Sequence, residues 1–406
     1  MNDYVGFEPN RLDQLSKKLQ GVTRTLNANL QQINGIIGSA GGTVSGSSKI
    51  NYWVAEAEND ANDMTYRSQQ AWMLYRQRIK NPFVVGPVSP QVQVNWVETS
   101  ESGRQAAQDA KGFNSALDNK DSKSSRQQLK SLAQSLRDHA HDKDYLKTFW
   151  NQVDPSMAAR LARLLHNQDM ASGPPKNDHY PLSGESRAIL KNVAAGLVAL
   201  RDNKIAIPDS VRNALINPTG DDIWSSVMLV KFGPAGNRWD PNLLANLGHR
   251  ELYRSDERGI YHDLDPMRAI LAKLAESHTA SRILLGDKTN GKSDTLMLMR
   301  SAAEYEKDHF AHAPGIGDVA GNVMVAATQT NRGTSLDARE SSQAAANIIL
   351  ATHDWIALKG KLHLELPEGV RNGMTRVAGT YLPDLANSSD NPYNKTLVIS
   401  AEGEPW

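Results

Sequence analysis

Leu12, Leu15, Leu19, Val22, Leu26, Ile33 and Ile36 recur at steps of three and four, and Asn29 fills the one missing step. That is an a/d stripe running over more than three heptads. It predicts a helix capped by Asn10 behind Pro9, running to about Ile37 and ended by Gly38. A second helical period starts near Ile50 with Trp53, Ala57, Ala61, Met64, Ser68, Ala71 and Tyr75, and stops before Pro82. Two such helices hide their stripes by folding on each other or on a partner, so a two-helix hairpin over 1–80 is expected. In it, Leu12, Leu15, Leu19, Val22, Leu26, Asn29, Ile33, Ile36, Trp53 and Trp72 form the seam and partner interface, with Asn29 holding the register.

Between the two patterns lies "IGSAGGTVSGSS", a glycine- and serine-rich run. A phosphate-binding loop needs a strand before it and Lys-Ser/Thr at its end. Here a long helix precedes the run and "GSSK" reverses that order, so the stretch reads as the hairpin turn.

Residues 81–100 change character: three prolines and the alternation Val92, Val94, Trp96 predict an extended linker or strand. From 101 to 406 the pattern is that of an all-helical body, with a subdivision expected near 175–185. Residues 119–131 read as a solvated loop leading into a helix. Asp154-Pro155, Asp240-Pro241 and Asp265-Pro266 each place an Asp at a helix N-cap and a Pro at the first helical position. Ser183 and Asp318 are further expected caps. More helices are predicted at 185–202, 208–217, 222–231, 294–310, 318–330, 337–358 and 368–383, with Trp224 and Trp355 in the core. Only "LHLEL" (362–366) and "TLVIS" (396–400) suggest other strands. The predicted class is mainly α: a long antiparallel two-helix hairpin followed by a multi-helix body with few short strands.

Charge narrows the partners. Lys and Arg number 45, and Asp and Glu number 45. This balance argues against a nucleic-acid partner or an anionic membrane surface. No apolar run is long enough for a transmembrane segment, and the acidic start "MNDYVGFEPN" is not that of a cleavable signal peptide. With no cysteine, disulfides, thiolate metal sites and cysteine nucleophiles are excluded. The closing "LVISAEGEPW" is expected either to pack into the body or to lead into a longer protein.

The remaining chemistry lies with eleven histidines. His139 and His141 sit among Asp138, Asp142 and Asp144; His262 stands beside Asp263 and Asp265; His309 and His312 follow Asp308. None has the HExxH spacing that sets two imidazoles and a general base on one helix face. "GIGDVAG" (315–321) lacks the preceding strand of a dinucleotide fingerprint, and "SGESRA" (183–188) is not a nucleophile elbow. These readings assign no catalytic residue, no metal site and no cofactor.

The first 80 residues, two long helices joined by a small-residue turn, resemble the helical-hairpin (WXG/LXG) proteins exported by type VII secretion. "FWNQVDPSMAARLARLL", "YPLSGESRAILKNVAAGLVAL", "DPMRAILAKLAESHTASRILL" and "GDVAGNVMVAATQTNRGTSLDARESSQAAANIIL" resemble a mainly helical family of unknown function from actinomycetes and Bacillota. The resemblance implies a non-enzymatic protein, secreted or envelope-associated without a cleavable signal, acting through protein–protein contact. It would be a type VII substrate or the front of a polymorphic toxin. Its partner would be a small helical-hairpin protein or a second copy of itself. Two alternatives stand beside it: a hydrolase or toxin with a His/Asp site in the body, and a structural subunit of a phage or contractile injection particle. A cytoplasmic location is the alternative to export.

Overall fold

The computed structural model describes residues 4–39, 47–79, 91–95, 100–119, 122–171, 182–220, 222–254, 264–307, 315–329, 335–362 and 364–390. Among them are sixteen α-helices and one two-stranded sheet, so the fold is mainly α. In chain order these are β1 (Tyr4–Phe7), α1 (Pro9–Ser39), α2 (Ser47–Ile79), β2 (Val92–Asn95), α3 (Glu101–Asp118), α4 (Ser122–Asp138), α5 (Lys143–Gln152) and α6 (Met157–Ala171). They continue with α7 (Gly184–Asp202), α8 (Asp209–Ile216), α9 (Asp222–Phe232), α10 (Pro241–Tyr253), α11 (Pro266–Ala275) and α12 (His278–Leu285). The last four are α13 (Gly291–Lys307), α14 (Ile316–Thr328), α15 (Leu336–Leu362) and α16 (Glu368–Asp390).

The chain divides into two compact units. The first comprises residues 1–111 and 142–152, and the second 112–141 and 153–406. The hairpin therefore shares its unit with the start of α3 and with α5, a division different from the expected boundary at 100.

In the first unit, α1 and α2 form the antiparallel hairpin. Both helices reach further into the Gly/Ser run than the pattern suggested, to Ser39 and from Ser47; residues 40–46, where the turn is expected, lie outside the described residues. At the open end, β1 pairs antiparallel with β2, Val5 opposite Val94 and Phe7 opposite Val92. The expected alternation Val92, Val94 thus buries one face, against Leu12, Met64 and Ala71, with Phe7, Leu19, Leu74 and Tyr75 packed around them. Of the predicted linker, 81–90 and 96–99 lie outside the described residues.

The second unit is built round two largely buried helices. In α14, Ala320, Gly321 and the whole run Val323–Thr328 are buried, and it packs on α11, α12, α13, α15 and α16. In α9, every residue from Trp224 to Val230 is buried, against α6, α7 and α11. So wide a buried face belongs in a core, and Asp318 and Asn322, one turn apart, mark the exposed side of α14. Trp224 and Trp355 are both buried, and the Trp224 indole N–H donates to the Leu264 carbonyl at 3.1 Å.

The caps follow the expected chemistry at three of six places. Helix α1 already starts at Pro9, so Asn10 lies inside its first turn instead of capping it. Asp240 accepts from the Leu243 amide at 2.8 Å and Asp265 from the Arg268 amide at 2.7 Å, each with Pro next. Ser183 accepts from the Ser186 amide. Asp154 instead bonds the amide of Ser156, two residues on, and α6 begins later, at Met157. At α14 the cap is Gly315, with φ 78°, and Asp318 falls inside the first turn.

Two loop or strand expectations are corrected. Residues 122–131 are helix, because Ser125 faces inward and donates to the Ala116 carbonyl at 2.7 Å. Of "LHLEL", Leu362 ends α15 and 364–366 form no strand. "TLVIS" lies outside the described residues.

Candidate functional site

The hairpin seam is polar. Thr23 Oγ1 donates to the Ala57 carbonyl at 3.1 Å. Ser16 and Thr65 share a hydroxyl–hydroxyl bond of 2.8 Å, and Gln20 Nε2 donates to Thr65 Oγ1 at 2.7 Å. Leu12, Ser16 and Thr23 are buried there, with Leu19 half-buried. The steps 12, 16, 19, 23 form one helix face, turned about a quarter of the circumference from the centre of the a/d stripe.

That rotation corrects the seam expectation. Leu12 and Leu19 face α2, but Leu15, Val22, Leu26, Ile33 and Ile36 keep 41–68% of their surface exposed, and Asn29 is exposed with them. Trp53 on α2 is 67% exposed. The register set by Thr23 and Ala57 brings it level with Asn27. Helical periodicity turns it to the same side of the hairpin as Leu26. Trp72 is half-buried, edge-on to Tyr75 at 5.9 Å. The periodic signal read in the sequence was genuine. It marks an outward apolar face, because small polar side chains let α1 and α2 approach through bonds no hydrophobic pattern reveals.

Elsewhere in the first unit, buried charges fasten α2 to its neighbours. Asp63 lies 3.9 Å from Arg67 and 3.5 Å from Arg104, whose guanidinium stands 4.3 Å over the Tyr66 ring. Burial pushes the Asp63 carboxyl above its ordinary range, against the pull of the two arginines. Burial, then the charge of Asp142, raises Asp144 as well. Tyr145 donates to Asp109 at 2.5 Å. These groups are consumed by one another, and the arrangement is structural.

In the second unit, His249 and Tyr253, one turn apart on α10, both meet Asp294 at the start of α13. Imidazole Nδ1 lies 2.9 and 3.0 Å from the two carboxylate oxygens. The Tyr253 hydroxyl is pushed up to about 12 by burial and by the charge of Asp294, and burial raises Asp294 itself. A buried carboxylate orienting an imidazole is the start of acid–base chemistry. Yet among the described residues no three His, Asp or Glu side chains gather as metal ligands. It ties α10 to α13. His139 bonds the Ser135 carbonyl at 2.9 Å, while His262, His309 and His312 lie outside the described residues.

No helix is long and apolar enough to cross a membrane among the described residues. No family model matches the chain, and neither a curated protein nor a solved structure matches it.

Proposed function

We propose that this chain is a non-enzymatic helical protein that acts by helix-on-helix recognition, with the outer face of α1 as its docking surface. One observation carries the reading. A heptad stripe of large aliphatic side chains stands in solvent while the hairpin closes through a different, polar face. Exposed apolar rows of this regularity cost solubility unless something covers them. A row at a/d spacing fits the groove of another helix pair.

Lysines at two points of the stripe test it. Val22→Lys and Leu26→Lys are expected to leave helicity unchanged and to abolish association of the chain with its partner in a pull-down or titration. Undiminished association in both variants would sink the docking reading. The export part of the proposal, a secreted or envelope-associated protein of the type VII kind, rests on the hairpin's resemblance to those substrates. It is checked by following the chain in culture medium with and without an intact secretion ATPase.

A further inference from the structure

The geometry points to a second copy of this chain as the occupant of the α1 stripe, with the two α1 helices antiparallel about a two-fold axis level with Arg24. This rests on the docking reading and names its partner. Leu15, Val22, Leu26 and Ile33 are spaced seven, four and seven, a series that reads the same in both directions. An isologous interface needs that property, because each residue meets a counterpart at a fixed sum of numbers. Here Leu15 meets Ile33 of the second copy and Val22 meets Leu26, each twice. At the same register Ile36 falls opposite Leu12, and Asn29 opposite Leu19.

Charge along α1 selects the same arrangement. All its charged residues, Arg11, Asp13, Lys17, Lys18 and Arg24, lie in the first half, and nothing from Thr25 to Ser48 is charged. Antiparallel pairing lays each charged half on the partner's neutral half. Lys18, the lysine nearer the stripe, then stands level with the uncharged Leu30 of the second copy. Parallel pairing stacks Lys18 on its own copy, which is unfavourable. Arg24, on the axis, projects from the opposite side of the helix, since it lies about 160–170° from the stripe.

The size fits a reversible dimer. From Leu15 to Ile33 is about 27 Å at 1.5 Å per residue. A face two helices wide, including Trp53, is about 20 Å across. That buries roughly 1,000 Å² over both copies, the lower end of specific interfaces, so a dissociation constant in the micromolar range is expected.

The full chain has no cysteine, so single thiols report the register cleanly. Sedimentation of the wild-type chain should show concentration-dependent dimer. Val22→Lys should weaken it by about 100-fold or more, because each substitution counts twice across the axis. Chains carrying Leu15→Cys and Ile33→Cys should cross-link when mixed. Neither should cross-link alone, its two thiols being about 27 Å apart. Lys17→Cys, on the back of the helix, should not cross-link. Self-cross-linking of Leu15→Cys, or a wild-type chain that stays monomeric at every concentration, overturns the proposal. A monomer that still loses a helical partner on Val22→Lys overturns the second copy alone. A monomer whose stripe variants change nothing overturns the docking reading with it.

Discussion

Gly321 and Gly373 show how much a missing methyl group decides. A Cβ on Gly321 would stand 2.1 Å from the Gly369 carbonyl oxygen, and one on Gly373 would stand 2.5 Å from the Gly321 Cα. The backbones of α14 and α16 touch there, and no side-chain rotation relieves a contact between main chains. Gly321→Ala is expected to lower stability by about 1–3 kcal/mol in urea denaturation. Gly379→Ala, on α16 with nothing within 4 Å, should raise it by about 0.5–1 kcal/mol. Asp169 is the other telling residue. Burial pushes its carboxyl up, but the Ser183 amide, the Ser186 and Ser183 hydroxyls and Arg126 outweigh it, and the net shift is downward. Its contribution is therefore fully present above the unfolded value of 3.8 and is lost as pH falls through the lower folded value. Asp169→Asn should cost about 1–3 kcal/mol at neutral pH, and the gap to wild type should close below about pH 4. A gap that persists in acid would show that the carboxylate charge is not what matters. None of these roles was visible in the sequence, because each depends on what a distant segment brings to the residue.

For the hairpin, burial sorts the stripe residues into two kinds. Leu12 is buried to 1% beneath the sheet, so Leu12→Ala should cost about 2–5 kcal/mol and loosen the open end. Val22→Ala should change the dilute chain by less than about 0.5 kcal/mol, being a surface position. Comparable losses in thermal melts of the two variants would contradict the rotated seam. The two long helices and their starts were legible because period and breakers are local. Which stripe faced inward was not. Heptad position ranks residues by hydrophobicity, whereas the seam is set by Ser16, Gln20, Thr23 and Thr65, whose value lies in hydrogen bonds across the pair. The break between α11 and α12 was likewise hidden inside "DPMRAILAKLAESHTASRILL". There Ser277 caps a new helix by accepting from the Ala280 amide.

At the scale of the whole molecule, charges balance and none of the stripe residues of α1 is charged. Association through the stripe should therefore respond little to sodium chloride, and should strengthen in sulfate, which favours apolar burial. Binding isotherms across a salt series check this; a steep fall with salt would mean that charge pairs, not the stripe, hold the partner. The association should also show a negative heat-capacity change in calorimetry.

Sequence alone determined the mainly helical class, the hairpin, most helix positions and the absence of thiol chemistry, since these follow from local propensity, periodicity and composition. Tertiary structure decided the rest: the grouping of α5 with the hairpin, the core positions of α9 and α14, the mutual consumption of buried charges, and the outward turn of the α1 stripe. These depend on which surfaces meet, and a rotation of a quarter turn about one helix separates a buried seam from an open docking face.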